Sequence, residues 1–342
     1  MPGIRLMARA ARATFAALLD LWPEPECIQV VCGTGNNGGD GFLVADLAHN
    51  RGIPAVVYQI GDAGKIRGDA LAARERALAS GVQILPWAEG VLERRGVIVD
   101  AMLGTGLGGD VRGDYGDAIR AINASGAATL AVDIPSGLCS DTGRVLGIAT
   151  LADLTVTFIG LKRGLFTLSG ADHAGVVHFS DLAVPMAIYD EVPGDCARLE
   201  LEPLLDLLAP RPATAHKGHY GNVLIVGGDH GMAGAAAMAA EAALRCGSGL
   251  VRVATRPEHV GALVARAPEV MARGVESGGD FEPLLAAADV LVVGPGLGQS
   301  SWSEYLLQAA AASGKPMVLD ADGLNLLAGG RIVPEAHRHN WI

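Results

Sequence analysis

Strand-length runs of nearly unbroken apolar residues, most of them ending at or just before Gly or Asp and followed by a helical stretch, recur along the whole chain. CIQVVC, PAVVYQI, GVIVDAML, ATLAVDI and ADLTVTFIG come first; NVLIVGG, GLVRVATR, DVLVVGPG and KPMVLDADG form a second series. A strand that is apolar on both faces cannot rest either face on water. Helical stretches such as GFLVADLAHN and DYGDAIRAINAS between the runs would cover both faces of a parallel sheet. The pattern therefore predicts open α/β sheets. Between the two series, LEPLLDLLAPRPATAHKGHYG interrupts the rhythm with two prolines around Arg211 and a polar tail. That interruption sets a domain boundary near residue 210, giving domains over 1–210 and 211–342.

The balance of residue types excludes several partners. A net charge of -11 with no Lys/Arg run argues against nucleic acid or an anionic membrane surface. No apolar run reaches the ~18 residues of a membrane span; AGAAAMAAEAALRCGSGLV comes nearest and is broken by Glu241 and Arg245. Five scattered cysteines (27, 32, 139, 196 and 246) without a CxxC pattern read as free thiols in a reducing, cytoplasmic setting. His216/His219 and His337/His339 lack a Cys or carboxylate cluster that would make either pair a zinc site. The Arg-rich start MPGIRLMARAARATFAALLDLW superficially suits a transit peptide. However, Arg5, Arg9 and Arg12 share one helical face, with Ile4, Met7, Ala11 and Phe15 near the other, so a packed helix is the reading adopted.

Small-molecule sites in open α/β sheets lie beyond the carboxyl ends of the strands, and the polar residues of this chain gather there. In VCGTGNNGGDGFLVADLAHNRG, five glycines occupy the nine positions from Gly33 to Gly41. Such a loop opening a helix offers N–H donors and the positive dipole end, which suits phosphate. GTGNNG fits the G-x-G-x-x-G dinucleotide pattern, and so does GTGLGG from Gly104 to Gly109. Asn36, Asn37 and Asp40 exceed what a compact dinucleotide turn needs. Asp100 in VDAMLGTG, with Asp133 and Ser136 in VDIPSG, adds oxygens from two further strand ends. Oxygens converging from three strand ends suit a hard cation. A carboxyl at the end of an apolar strand is also set up for general acid/base work.

The motifs GTGNNGGDGFLVA, VDAMLGTGL, VDIPSGLCSDTG and TFIGLKRGL, in this order, resemble the epimerase domain of the NAD(P)H-hydrate repair enzymes. HKGHYGNVLIVGGDHGMAGAAAMAAEAALRCGSGLV, VGPGLG and VLDADGLNLL resemble their ADP-dependent dehydratase domain. The resemblance covers almost all the chain. It implies an N-terminal Rossmann-like three-layer sandwich followed by the first part of a ribokinase-like α/β domain. The implied substrate is hydrated NADH or NADPH. Asn36, Asn37, Gly38, Gly39 and Asp40, with Gly104, Thr105, Gly106, Leu107, Gly108, Gly109 and Asp110, would line its site. By the same resemblance, Asp133 would be the acid/base, and Asn37, Asp100 and Ser136 would hold a potassium ion. Ala235 and Gly296 would lie on the substrate side of the second domain. Lys162 and Arg112 are weaker candidates for phosphate contacts.

The chain departs from the family pattern at both ends. LMARAA (Leu6–Ala11) stands where relatives carry an LMERAG-like segment preceded by a further helix, which puts stability or dimer contacts in doubt. After VLDADGLNLLAGG the TPHPGE-like and GTGD-like segments are missing. The expectation is therefore an incomplete dehydratase half, inactive, with exposed apolar sheet edges. ADP and magnesium are implied only for a complete one. The oligomeric state stays open, a homo-oligomer being common among such enzymes. Rival readings are a nicotinamide-dependent oxidoreductase, which lacks a Tyr-x-x-x-Lys set here, a small-molecule kinase, and a non-catalytic binding module.

Overall fold

Strands β1 (Ile28–Cys32), β4 (Val97–Ala101) and β6 (Leu154–Phe158) are buried at every residue, as runs apolar on both faces require. They belong to a computed structural model that describes residues 1–207, 210–330 and 335–342, the side chains of 335–337 (His337 included) lying outside that description. The chain divides into two compact units, Met1–Leu199 and Glu200–Ile342. That division falls ahead of the proline pair around Arg211, where the sequence reading set it.

The first unit adds β2 (Ala55–Gln59), β3 (Gln83–Pro86), β5 (Ala128–Val132) and β7 (Val176–Ser180). All seven strands are parallel, in the order β3-β2-β1-β4-β5-β6-β7. Alternate residues of one strand serve opposite cores. Val30, Cys32, Val99 and Ala101 pack under helices α1 (Gly3–Leu21), α2 (Asn36–Asn50) and α3 (Gly68–Ala79). Val31 and Ile98 pack under Ala118, Ile119 and Ile122 of α4 (Asp114–Ser125). Each fully buried large side chain contributes about 1.5–3 kcal/mol, which is why both layers hold. The Arg-bearing helix α1 buries Met7, Ala10, Ala11, Phe15 and Leu18, and Arg9 donates to the carbonyls of Leu182 (2.7 Å) and Ala183 (2.9 Å).

In the second unit β8 (Asn222–Val226), β9 (Leu250–Thr255), β10 (Met271–Gly274), β11 (Val290–Val293) and β12 (Met317–Leu319) form a parallel sheet ordered β10-β9-β8-β11-β12. Ile225, Val251 and Val253 face the helices Ala233–Arg245 and Val260–Arg266. Leu224, Val226 and Leu291 face Gly278–Ala287 and Ser301–Ala312. The expectation of bare apolar edges meets a contrary feature at β12, whose outer edge is paired. Ile342 N donates to Met317 O (2.9 Å) and Leu319 N to Ile342 O (2.8 Å). Among the described residues, no helix is long and apolar enough to cross a membrane.

Candidate active site

From β1 the chain builds outward through β2 and β3, then returns to lay β4 on the other side of β1. Loops leaving neighbouring strands in opposite directions open a crevice at their carboxyl ends. In the first unit that crevice lies between Gly33–Asn36 and Met102–Gly108. The second unit repeats the arrangement between β8 and β11.

The glycines of the first loop are there mainly to let protein meet protein. A Cβ on Gly33 would stand 2.1 Å from Met102 O, and one on Gly38 2.1 Å from Gly33 O. One on Gly41 would meet Ala101 Cβ at 2.5 Å, and one on Gly39 the Met7 side chain at 2.6 Å. Pressed together in this way, the strand ends are then tied by polar groups. Asn37 Nδ2 donates to Leu103 O (3.1 Å), Leu103 N to Ser136 Oγ (2.9 Å), and Ser136 Oγ to Asp100 Oδ1 (2.6 Å). Ser136 N donates to Asp100 Oδ2 (2.9 Å) and Met102 N to Oδ1 (3.2 Å). Asp100 is fully buried, and burial raises its pKa although the donors from Ser136 and Met102 pull it back. Thr150 N donates to Ser136 O (2.9 Å), yet its hydroxyl, buried and facing Asp100, reaches no hydrogen bond of ordinary geometry. The Asp100 carboxyl, the Ser136 and Thr150 hydroxyls and the Leu103 carbonyl gather oxygens at one buried point, a chemistry that fits a hard cation.

Asp133 follows β5 in a left-handed conformation (φ 66°), and Ile159, following β6, shares it (φ 64°). Asp tolerates this region, but a β-branched residue there is an outlier costing on the order of 1–3 kcal/mol. The two bends bring Lys162 back onto Asp133. Lys162 Nζ donates to Asp133 Oδ1 and to Phe158 O (2.9 Å). Phe158 N (3.2 Å) and Thr157 Oγ1 (3.3 Å) donate to the same Oδ1. The pair is largely shielded, the side chains being 16% and 19% exposed. Asp40, in the first turns of α2, lines the same space. Its carboxyl is pushed well above the usual range, first by burial and then by the Asp133 charge.

Two cavities meet at these carboxylates. One of about 520 Å³ is walled by the glycine loops, with Asn36, Asn37, Gly104, Thr105, Gly106, Leu107 and Gly108 on its lining. The other, about 340 Å³, is closed by Leu6, Met7 and Ala10 of α1 with Ile159 and Leu182. Asn36, Asp40, Thr105, Asp133 and Phe158 line both. Gly38 and Gly39 are buried within α2 and shape the loop from behind. Gly109 and Asp110 lie on the second loop outside the cavity lining, where Asp110 pairs at the surface with Arg112 (3.8 Å). Lys162, a weaker phosphate candidate in the sequence, pairs with Asp133 and also lines the smaller cavity. Phe158 and Tyr115 also line the larger cavity and escaped the sequence reading. Phe158 was discoverable in principle as the last residue of its strand.

In the second unit Ala235 and Gly296 are neighbours. Gly296 has φ 61°, and a Cβ there would stand 2.5 Å from Met232 O and 3.4 Å from Ala235 Cβ. Asp229 N donates to Gly296 O (2.7 Å). The Asp229 carboxylate accepts from Arg256 Nε (2.7 Å) and Ser300 Oγ (3.0 Å), and Arg256 stacks 4.2 Å over the Trp302 ring. Burial raises the Asp229 pKa, but those donors outweigh it and hold the carboxyl below its ordinary value. Gly298 N donates to Asp322 Oδ2 (2.9 Å), tying the ends of β11 and β12.

The sequence pattern of the family described as YjeF-related protein N-terminus matches residues 3–164, and that of NAD(P)H-hydrate dehydratase matches 223–340. The second match gives no support to the expectation of an incomplete, inactive dehydratase half. The chain is 47% identical over 337 residues to the bifunctional NAD(P)H-hydrate repair enzyme Nnr of Coxiella burnetii, covering 98% of this chain and 68% of the relative. With the enzyme of the same description from Escherichia coli it shares 42% over 341 residues, covering 98% and 64%. The crystal structure of yeast ynu0 is similar at 19% identity and TM-score 0.49, over 57% of this chain and 86% of that one. This chain thus spans about two thirds of the length of the curated relatives it matches.

Proposed function

We propose, given that this chain belongs to the family of bifunctional NAD(P)H-hydrate repair enzymes, that its first unit interconverts the R and S epimers of hydrated NADH or NADPH. Water added to an enamine leaves the hydroxyl on the carbon that also bears the ring nitrogen. Such a carbon inverts without redox chemistry. Removal of the hydroxyl proton forms C=O as the C–N bond breaks, and the nitrogen takes up a proton. Rotation and the reverse steps then close the ring on the other face. One proton leaves and one is delivered, so a base and an acid on one wall suffice.

The observation that carries this reading is the placement of Asp133 and Asp40 side by side on the wall shared by the two cavities. Asp133, paired with Lys162, serves as the base. Asp40, held protonated by burial and by its neighbour's charge, serves as the acid. The raised Asp40 carboxyl and the cation-paired Asp133 divide the roles between them. Backbone N–H groups of Gly104 to Gly108, with Asn36 and Asn37, would receive the phosphates, with Gly38, Gly39, Gly109 and Asp110 supporting those loops. The smaller chamber under α1, walled by Leu6, Met7, Ala10, Ile159 and Leu182, offers the apolar surface the ring needs. Asn37, Asp100 and Ser136 would hold potassium, which supplies positive charge beside the phosphates when bound. For the second unit the reading is ADP-dependent dehydration of the S epimer, with Ala235 and Gly296 on the substrate side.

Incubation with the pure R epimer of NADH hydrate, with and without potassium and ADP, tests both halves by chromatography of the epimers and of NADH. Conversion to an R/S mixture that is lost in Asp133→Ala is the expected result, and recovery of NADH with ADP is expected of the second unit. A folded sample that converts nothing under any condition would leave a binding module as the better reading.

A further inference from the structure

We propose that Lys162 is a positioning residue for the epimerisation: it fixes Asp133 by one carboxylate oxygen so that the other stays aimed at the substrate hydroxyl. The inference rests on the epimerase reading and adds a residue whose role the sequence pointed elsewhere. Among the described residues, every hydrogen bond to the Asp133 carboxylate goes to Oδ1, from Lys162 Nζ, Phe158 N and Thr157 Oγ1, and none goes to Oδ2. A carboxylate held this way presents one acceptor in a fixed direction while the other is fully used.

The backbone is bent to produce this contact. Lys162 lies 29 positions beyond Asp133 and four beyond Phe158. Its ammonium reaches back only because Ile159 adopts φ 64° and Gly160 N closes a tight turn on Phe158 O (2.6 Å). That turn is itself anchored, since Ile159 N donates to Ser180 O (2.8 Å) and Tyr189 Oη to Ile159 O (2.8 Å). Asp133 is left-handed too. Two left-handed backbone conformations on adjacent strand ends, the one at Ile159 costly, thus converge on a single ion pair, a cost the fold retains where geometry matters. The neighbouring cation is committed elsewhere, Arg163 pairing with Asp195 at 3.2 Å. Lys162 also has a bond to Phe158 O that a mobile phosphate-binding lysine would not need.

The titratable groups that share the smaller cavity with Asp133 are Lys162 from the segment after β6, Asp40 from α2 and Asp69 from α3. The test compares Lys162→Met and Lys162→Arg with the unaltered chain in R-epimer conversion. It also follows the resonance of the Asp133 carboxyl carbon by NMR, assigned with Asp133→Asn. Misplacing a reacting group by about 1 Å costs on the order of 100-fold, so kcat in Lys162→Met is expected to fall about 100-fold with KM nearly unchanged. Lys162→Arg, which keeps a donor on Oδ1, is expected to recover at least part of that loss. The Asp133 carboxyl resonance is expected to shift in Lys162→Met and to return toward its original position in Lys162→Arg, because a donor on Oδ1 is removed in the first and restored in the second. A rise in KM with kcat kept would make Lys162 a substrate-anion contact and overturn the proposal. So would an unmoved Asp133 resonance, whether or not the chain epimerises. An inactive unaltered chain whose Asp133 resonance still responds to Lys162 would refute the epimerase reading and keep the pairing.

Discussion

Gly38→Ala separates two accounts of the glycine-rich loop. Gly38 lies in the first turns of α2, where replacing Gly by Ala ordinarily stabilises a helix by about 0.5–1 kcal/mol. Here the new Cβ would sit 2.1 Å from Gly33 O, and Gly33 is itself wedged against Met102 O. Backbone on both sides must move, because no flexible side-chain tip is available to give way. Overpacking of this kind typically costs about 1–3 kcal/mol. Taking the upper value, since two loops must shift together, and subtracting the propensity gain leaves a loss of about 2 kcal/mol. For a unit of this size about 2–4 °C accompanies each kcal/mol, so the expected shift is about 4–8 °C downward. Scanning calorimetry of the whole chain reads it, with the second unit's transition as an internal reference. Gly35→Ala is the control, since its Cβ would meet nothing within 4 Å and its φ is -94°. It is expected to change stability by less than about 0.5 kcal/mol. A Gly38→Ala chain as stable as the original would refute the close-packing account and return the glycines to a purely conformational role.

Three further outcomes follow from the geometry. Asp133→Ala is expected to abolish epimer conversion while leaving both calorimetric transitions visible, and a residual rate above about one hundredth would move the base elsewhere. Potassium is expected to raise the first transition of the unaltered chain, and Thr150→Val or Ser136→Ala to weaken that rise; equal rises in all three would remove the cation from the Asp100 cluster. Arg256→Ala is expected to lower the second transition by about 3 kcal/mol equivalent, because Asp229 and Arg256 are only 10% and 16% exposed and the carboxylate would lose its partner.

The interior strands were legible because burial on both faces writes itself as an apolar run. The strands that escaped, β3, β7 and β10, all lie at sheet edges. QILP, VVHFS and MARG carry no such run, and in β7 Val176 and Phe179 remain 64% and 43% exposed. An edge needs only one covered face, so its sequence is not forced. Convergence of Asn37, Asp100 and Ser136 was readable for a related reason, since strand ends at a switch point share a crevice whatever the loops do. The pairing of Lys162 with Asp133 was not readable. It depends on Ile159 taking a backbone conformation that its own side chain disfavours, and no local propensity announces that. The glycines were half understood: close approach was the right inference, but at Gly33, Gly38 and Gly41 the approaching group is the protein itself.

Asp40, within α2 after β1, and Asp229, in the loop after β8, each follow the strand at the switch point of their own sheet, and are expected to respond oppositely to the same substitution. Asp40 has a pKa raised above that of an unfolded aspartate. Its favourable contribution is complete below the unfolded value and is lost as pH rises toward the folded one, with a slope of at most about 1.4 kcal/mol per pH unit. Asp229 has a depressed pKa, so its contribution is present above the unfolded value and is lost as pH falls through the folded one. Asp40→Asn should therefore stabilise the first unit at neutral pH, flatten its decline above the ordinary carboxylate range, and still slow epimerisation by removing the acid. Asp229→Asn should destabilise the second unit at neutral pH by about 1.5–3 kcal/mol, the worth of charged hydrogen bonds to Arg256 and Ser300, and should matter less in acid. Calorimetry between pH 4 and 8 reads both transitions in one sample. A destabilised Asp40→Asn at neutral pH would mean the carboxyl is ionised in the fold. The division of labour with Asp133 would then fail, because two charged carboxylates on one wall could not supply the proton that the ring nitrogen needs.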